Sequence, residues 1–384
     1  MNSILSTQIE RIEFGLVEGK RPRKAGCNAR LGIHGDTLHI PVIRLTTQDG
    51  SSGFGASWAK PEQARFLLGK PISELYDPTQ GVNPDWQSFE YPIWDMIGQR
   101  SKKPVFALAA SVVGKTAPAS LQVACYDTSL YIDDLHLDST SEAAEFIAQE
   151  ACQGYERGHR AFKIKVGRGA RHLPLWEGIQ RDIAVIHKVR EAVGNQAVLM
   201  IDANNGYNFN IAREVLQETA DCHLYWIEEA FHEDQVLYQL MKDWLAENNM
   251  NVFVADGEGE ASTHLLEWAH QGLVDVIQYD ILGFGLTRWL QTGRQLDAWG
   301  VYSAPHHYGS LYGNYATCHL AGSLEFFSMV EWDEASTPSI DASAYIIEAG
   351  QVKVPSLPGF GLMLVEEEFQ RLVKNEGWVM DLTA

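Results

Sequence analysis

From about residue 121 the chain alternates between short apolar runs and amphipathic stretches. The apolar runs are "LQVACYDTSLY", "RAFKIKVG", "AVLMID", "HLYWIEEA", "NVFVAD", "VDVIQYD", "VYSAPH" and "FFSMVEW". Strands that run apolar, without strict alternation, suit a parallel sheet covered on both faces. Between them lie helical patterns. "TSEAAEFIAQEACQGYERG" has Thr140 or Ser141 as its expected N-cap, and "IQRDIAVIHKVREAVG" is stopped by Gly194. Eight such strands alternating with helices, joined by right-handed crossovers, predict a (β/α)-barrel of the TIM type over residues 121–335.

The rest of the chain has a different rhythm. "QIERIEFGL" and "DTLHIPVIRLTTQDGSSGFGASW" read as strands, and the polar, basic stretch between them, "VEGKRPRKAGCNARLGIHG", reads as a loop. Residues 61–113 turn helical. After about residue 335, "YIIEAGQVKVPSLPGFGLML" reads as strands and turns, followed by the amphipathic "VEEEFQRLVK". At 384 residues, two domains are expected. They are an α+β capping domain over residues 1–120 and the barrel over 121–335, with residues 336–384 returning to the cap.

Composition narrows the function classes. A net charge of −20 provides no basic field for nucleic acid or an anionic membrane surface. The five cysteines are scattered and odd in number, with no C-x-x-C pair, so neither a disulfide framework nor a zinc ribbon is expected. A reducing compartment fits this cysteine usage. The first residues alternate like a strand and lack the basic and apolar regions of a signal peptide, and no stretch is long and apolar enough to span a membrane. The expectation is a cytoplasmic protein.

Polar residues close the apolar runs in a fixed order. Lys163 and Lys165 end "AFKIK", Asp202 ends "VLMID", and Glu228 and Glu229 end "LYWIEE". Asp256, Glu258 and Glu260 follow "NVFVA", Asp280 ends "VDVIQYD", His306 and His307 end "VYSAPHH", and Glu331 follows "FFSMV". The steps are roughly 22 to 37 residues, around the ~31 expected when about 250 residues form eight units. In such a barrel the strand ends converge on one pocket. Asp202, Glu228 and Glu258 together offer hard oxygen ligands for Mg²⁺, with Asp256 as the alternative third ligand. Lys163 and Lys165 share one strand face. Beside a dication and out of water, a lysine pKa falls towards that of a usable base. An Asp280–His306 pair forms a second acid/base, because the carboxylate fixes the tautomer and raises the basicity of the ring. Glu331 either bonds a substrate oxygen or acts as an acid. "GRG" at Gly167 and "GFG" at Gly283 do not fit a nucleotide fingerprint and read as strand-to-helix turns. The His306–His307 pair does not make a zinc hydrolase, since the first strand lacks an H-x-H.

The ordered set "KIK", "IDANNGY", "WIEEA", "ADGEGE", "QYDILGFG", "APHH" and "MVEW" resembles the enolase superfamily, and within it the mandelate racemase subgroup. The likeness extends to "GSSGFGASW", "YPIWDMIGQRSKKPVFALAA" and "VKVPSLPGFGLML", so it spans nearly the whole chain. It implies Mg²⁺ on Asp202, Glu228 and Glu258, with Lys165 as the base tuned by Lys163. His306, oriented by Asp280, stands on the opposite face of the substrate, and Asn204 and Glu331 contact substrate oxygens. It also implies a homo-oligomer. Two departures are Ala230, where the family usually has proline, and the unusual segment "ADGEGE".

The implied chemistry is proton abstraction α to a carboxylate. Loss of a β-hydroxyl then makes the enzyme an acid-sugar dehydratase. Return of the proton makes it a racemase or epimerase, and loss of catalysis leaves a metal-binding barrel. The early loop, with Arg21, Arg23, Lys24, Asn28, Arg30 and His34, reads as a polar cationic lid. It favours a polyhydroxylated acid, and a diacid would suit it. Arg168, Arg171 and His172 raise the same possibility. Arg23 and His307 join Asn204 as expected substrate contacts.

Overall fold

The computed structural model describes residues 6–382. The reading of the extreme N-terminus therefore falls partly outside the described residues. The predicted runs form barrel strands one to four at Leu121–Leu130, Ala161–Lys165, Val198–Asp202 and Leu224–Glu228. Strands five to eight are Phe253–Asp256, Val276–Ile277, Tyr302–Ser303 and Val330–Trp332. Strands one to seven pair in sequence order, all parallel, and strand eight pairs parallel with strand one. A parallel bridge from Ser303 to Phe327 completes the ring. There the Ser303 N–H donates to the Phe326 carbonyl at 2.8 Å, and the Ser328 N–H donates to the Ser303 carbonyl at 2.9 Å.

The inner wall follows the period of two expected of a strand. Tyr126, Ala161, Met200, Trp226, Ala255, Val276, Ala304 and Met329, one from each strand or its flank, pack together as a floor. Two positions further along each strand come Thr128, Lys163, Asp202, Glu228, Gly257, Gln278, His306 and Glu331. An apolar floor beneath a largely polar ring is thus written into the alternation of each strand.

The cap is an antiparallel sheet of Ile9–Ala25, Gly35–Thr47 and Ser52–Ala56, with the C-terminal strand Trp378–Asp381 on its edge. Among the helices that follow, Glu90–Ser101 and Val105–Val112 are separated at Lys102, which has a left-handed φ of 54°, and at Pro104. The basic stretch expected as a loop is largely strand. Residues 17–25 alternate between buried or half-buried and exposed positions, and the inward Arg21 is neutralised by Asp333. Its charge therefore does not prevent an extended, buried course. Only residues 26–34 remain as the lid loop between the strands.

The barrel helix after strand one spans Thr140–Glu156 and is capped by Ser139, whose side chain accepts from the Glu142 N–H at 3.3 Å. The cap thus lies one residue before Thr140. After the barrel, the hairpin Ile346–Glu348/Gln351–Val354 adds antiparallel to the start of barrel strand one. The chain then reaches the cap through the helix Glu366–Glu376.

Candidate active site

One carboxylate oxygen each from Asp202, Glu228 and Glu258 lies within 4.8 Å of the other two. Asp202 and Glu228 occupy the polar ring directly. Strand five reaches the same point differently. Its inward position is Gly257, with a left-handed φ of 123° and no side chain to offer, and the turn it makes brings Glu258 to the cluster. The alternative ligand Asp256 faces outwards. Its carboxylate accepts from Tyr238 Oη at 2.6 Å and from the Gly257 N–H at 2.8 Å.

The cluster fits a dication. Burial pushes Glu228 up to about 8, with Asp202 and Glu258 adding to the effect against the pull of Lys163. Glu229, beside Glu258, is pushed up to about 10 for the same reasons. Asn204 Oδ1 and Gln278 Oε1 are buried and make no hydrogen bond, and Glu258 Oε2 is buried with only the His306 imidazole against it. Crowded carboxylates and unpartnered buried oxygens are the donor set of a hard oxygen-ligated cation.

Lys165 and His306 each contact a different member of this cluster. Lys165 Nζ hydrogen-bonds Asp202, and His306 Nε2 lies 3.2 Å from Glu258 Oε2. Behind His306, Nδ1 sits 2.6 Å from Asp280 Oδ1. Burial favours the neutral ring, yet Glu258, Glu331 and Asp280 together raise His306 to about 10. Lys165 is also held above its ordinary value, since Asp202 outweighs burial. The lowered lysine pKa expected from sequence therefore requires the cluster's negative charge to be neutralised first. Beneath them Lys163 is fully buried, with Nζ 2.6 Å from Glu228, 3.2 Å from Glu331 and 3.5 Å from Asp202.

Glu331 accepts from Thr128 Oγ1 at 2.7 Å and from the N–H groups of His307 and Tyr308 at 2.7 and 3.0 Å. Although burial opposes ionisation, Lys163, His306 and His307 hold it well below the usual carboxylate range. Its hydrogen-bond donors Thr128 Oγ1 and the His307 and Tyr308 N–H groups suit the charged form. Asn204, with a left-handed φ of 43°, donates to Glu229 at 3.0 Å and Glu258 at 3.2 Å, and its Oδ1 has no partner.

Two expected substrate contacts are directed elsewhere. Arg23 donates to Ser129 at 2.7 and 2.9 Å and pairs with Glu150 at 3.2 Å. Ser129 has the opposite parity from the inward Tyr126 and Thr128, and Glu150 lies on the helix outside the barrel. His307, one residue past the inward His306, turns its ring outwards. Nε2 meets the Glu331 carbonyl, and the ring fills the space left by Gly313. Arg168, considered for the lid, is fully buried and pairs with Asp134 and Asp182.

Other residues at the mouth escaped the sequence reading. Gln278 donates to Glu228 at 2.8 Å, and Thr128 supports Glu331. Counting two residues on from each floor position finds both. Tyr131 and Tyr308 stack with centroids 4.8 Å apart, with Lys165 Nζ 5.3 Å from the Tyr131 ring. The lid settles over this side. A Cβ on Gly167 or Gly206 would lie 2.7 or 2.6 Å from the Ala29 methyl, so glycine at both places lets the lid approach.

Comparison with known proteins gives the same picture. Residues 147–368 match the family model "Enolase C-terminal domain-like". A galacturonate dehydratase from Geobacillus sp., solved with D-galacturonate and 5-keto-4-deoxy-D-galacturonate, is 46% identical. The match covers 98% of this chain and 99% of that one, with a TM-score of 0.93. A mutant of galacturonate dehydratase from Geobacillus sp., solved with Mg, is 46% identical over 98% of this chain and 97% of that one, with a TM-score of 0.95. The D-gluconate/D-galactonate dehydratase of Picrophilus torridus is 23% identical over 90% of this chain and 93% of its own. With its capping domain, its (β/α)-barrel and this match over most of the barrel, the chain belongs to the enolase superfamily.

Proposed function

We propose that the protein is a Mg²⁺-dependent acid-sugar dehydratase that converts a polyhydroxylated carboxylic acid to its 2-keto-3-deoxy acid. The observation that carries this reading is that Lys165 and His306 contact different carboxylates, Asp202 and Glu258, of one cluster. The similar galacturonate and gluconate/galactonate dehydratases support it.

Asp202, Glu228 and Glu258 would hold the cation. When bound, it supplies positive charge to the substrate carboxylate and so lowers the cost of the dianion formed by losing the α-proton. Lys165 Nζ takes that proton, and the C–H electron pair moves into the enediolate. His306, protonated and hydrogen-bonded to Asp280, delivers its Nε2 proton to the β-hydroxyl, which leaves as water as the Cα–Cβ double bond forms. The resulting enol takes a proton at the β-carbon and gives up its hydroxyl proton to become the ketone. The proton gained by Lys165 balances the one lost by His306. In a uronate, numbered from its aldehyde end, the same connectivity is a 5-keto-4-deoxy acid. Lys163 and anionic Glu331 keep the base of the site charged and ordered.

A homo-oligomer in a reducing cytoplasm belongs to the same proposal. All five cysteines are free, and among the described residues no helix is long and apolar enough to cross a membrane. The test is a panel of aldonates, uronates and aldarates with Mg²⁺, read for keto-acid formation. Product from at least one acid, abolished in Lys165→Ala and in His306→Ala, supports the proposal. A panel with no product from any acid removes it.

A further inference from the structure

The lid reads as cationic in sequence, and a cationic lid would welcome a second carboxylate at the far end of the substrate. The structure neutralises its inward charges. Arg21 is buried and donates to both oxygens of Asp333, at 3.1 and 2.7 Å, while its guanidinium lies 4.3 Å from the Tyr308 ring. Arg23 is engaged by Glu150 on the outside of the barrel wall. Lys24 and Arg30 are exposed. The cations acting most strongly on His34 and Tyr308 are Arg21 and Lys165. Both are already paired with carboxylates.

The groups left at this end of the mouth are uncharged. His34 lies edge-on to Tyr131 with centroids 4.8 Å apart, and 6.1 Å from Tyr308. Its Nδ1 faces the Gly26 carbonyl at 2.8 Å and so carries the ring proton. In that tautomer Nε2 is the acceptor nitrogen of the ring. Burial, with Lys165 and Arg21 nearby, holds the ring's pKa below its ordinary value against the pull of the Gly26 and Gly32 carbonyls. The Tyr308 hydroxyl is buried and makes no hydrogen bond. An unpartnered hydroxyl beside a neutral acceptor suits substrate hydroxyls, whereas a carboxylate there would face Asp333 and Glu331 without a free cation.

Resting on the dehydratase reading, we infer that His34, Tyr131 and Tyr308 form a distal subsite for an uncharged polyol or carbonyl terminus. The substrates are then monocarboxylic sugar acids, aldonates or uronates, and aldarates are excluded. Like charges brought together without compensation are strongly rejected, while loss of one neutral hydrogen bond costs less.

The test uses matched pairs differing only at the distal carbon, D-galacturonate with galactarate and D-gluconate with D-glucarate, on the Mg²⁺-loaded enzyme. The expected result is a kcat/KM at least ~100-fold higher for one monoacid than for its paired diacid. Tyr308→Phe and His34→Leu should each raise KM for that monoacid about 5- to 10-fold, with a smaller change in kcat. A merely structural role would not produce this split. A diacid within about threefold of its monoacid partner overturns the inference while leaving the dehydratase reading intact. Unchanged KM values in both variants also overturn it. No turnover of any acid overturns both readings together.

Discussion

Tyr238 Oη donates a 2.6 Å hydrogen bond to Asp256 Oδ2, and this bond turns the Asp256 carboxylate out of the barrel. Glu258, past the left-handed Gly257, is the residue that meets Asp202 and Glu228. Glu258→Gln should therefore weaken Mg²⁺ binding by at least ~10-fold, measured by calorimetry, and remove turnover. Asp256→Asn should leave Mg²⁺ affinity within about threefold and act mainly on stability, because it disturbs a buried hydrogen bond.

The Asp280–His306 pair predicts a kinetic signature. Asp280→Asn removes the carboxylate that fixes the ring's tautomer and charge. It should lower kcat by roughly 10²- to 10⁴-fold with a much smaller change in KM. A change confined to KM would mean that Asp280 only shapes the binding pocket.

Stability should depend on pH in a direction set by the site. His306 is raised to about 10, Glu228 to about 8 and Glu229 to about 10. A group whose pKa is raised on folding stabilises the folded state fully below its unfolded pKa. That contribution is lost as pH climbs to the folded value. For the glutamates the loss begins near their ordinary 4.5, and for His306 near 6.5. Metal-free protein should therefore lose thermal stability between about pH 6 and pH 9. Mg²⁺ neutralises the same carboxylates, so its increase in Tm should be larger at pH 9 than at pH 6. Melting curves at both pH values, with Mg²⁺ and with chelator, read this directly.

How much of this was visible in the chain depends on geometry. Lys163, Asp202, Glu228, His306 and Glu331 all sit two residues beyond an apolar floor residue, so a period-two count places them on one inner wall. The same count was available for Thr128 and Gln278 and would have placed His307 on the outer face. Arg23 was not legible in this way. Its partners Ser129 and Glu150 belong to another domain, and which face of the cap strand meets the barrel is a tertiary fact. The extension of that strand to Ala25 was hidden because Arg21 finds its counter-charge, Asp333, 312 residues away.

Arg23 also yields a prediction. Arg23→Met should leave KM within about twofold and lower stability by roughly 1–3 kcal/mol, since Glu150 and the Ser129 carbonyl lose a buried donor. Steady-state kinetics beside thermal melting separates the two effects.

The central claim is that Lys165 removes the α-proton of an acid sugar while His306 drives out the β-hydroxyl. The most direct measurement is proton NMR of D-galacturonate and D-gluconate incubated with the Mg²⁺-loaded enzyme in deuterated water. The account predicts that, for at least one of them, the α-proton signal disappears at the rate at which the deoxy carbon of the keto acid appears. Unchanged spectra for these two and for every other aldonate, uronate and aldarate of the panel, or deuterium entering the α-carbon without any deoxy product, would contradict it.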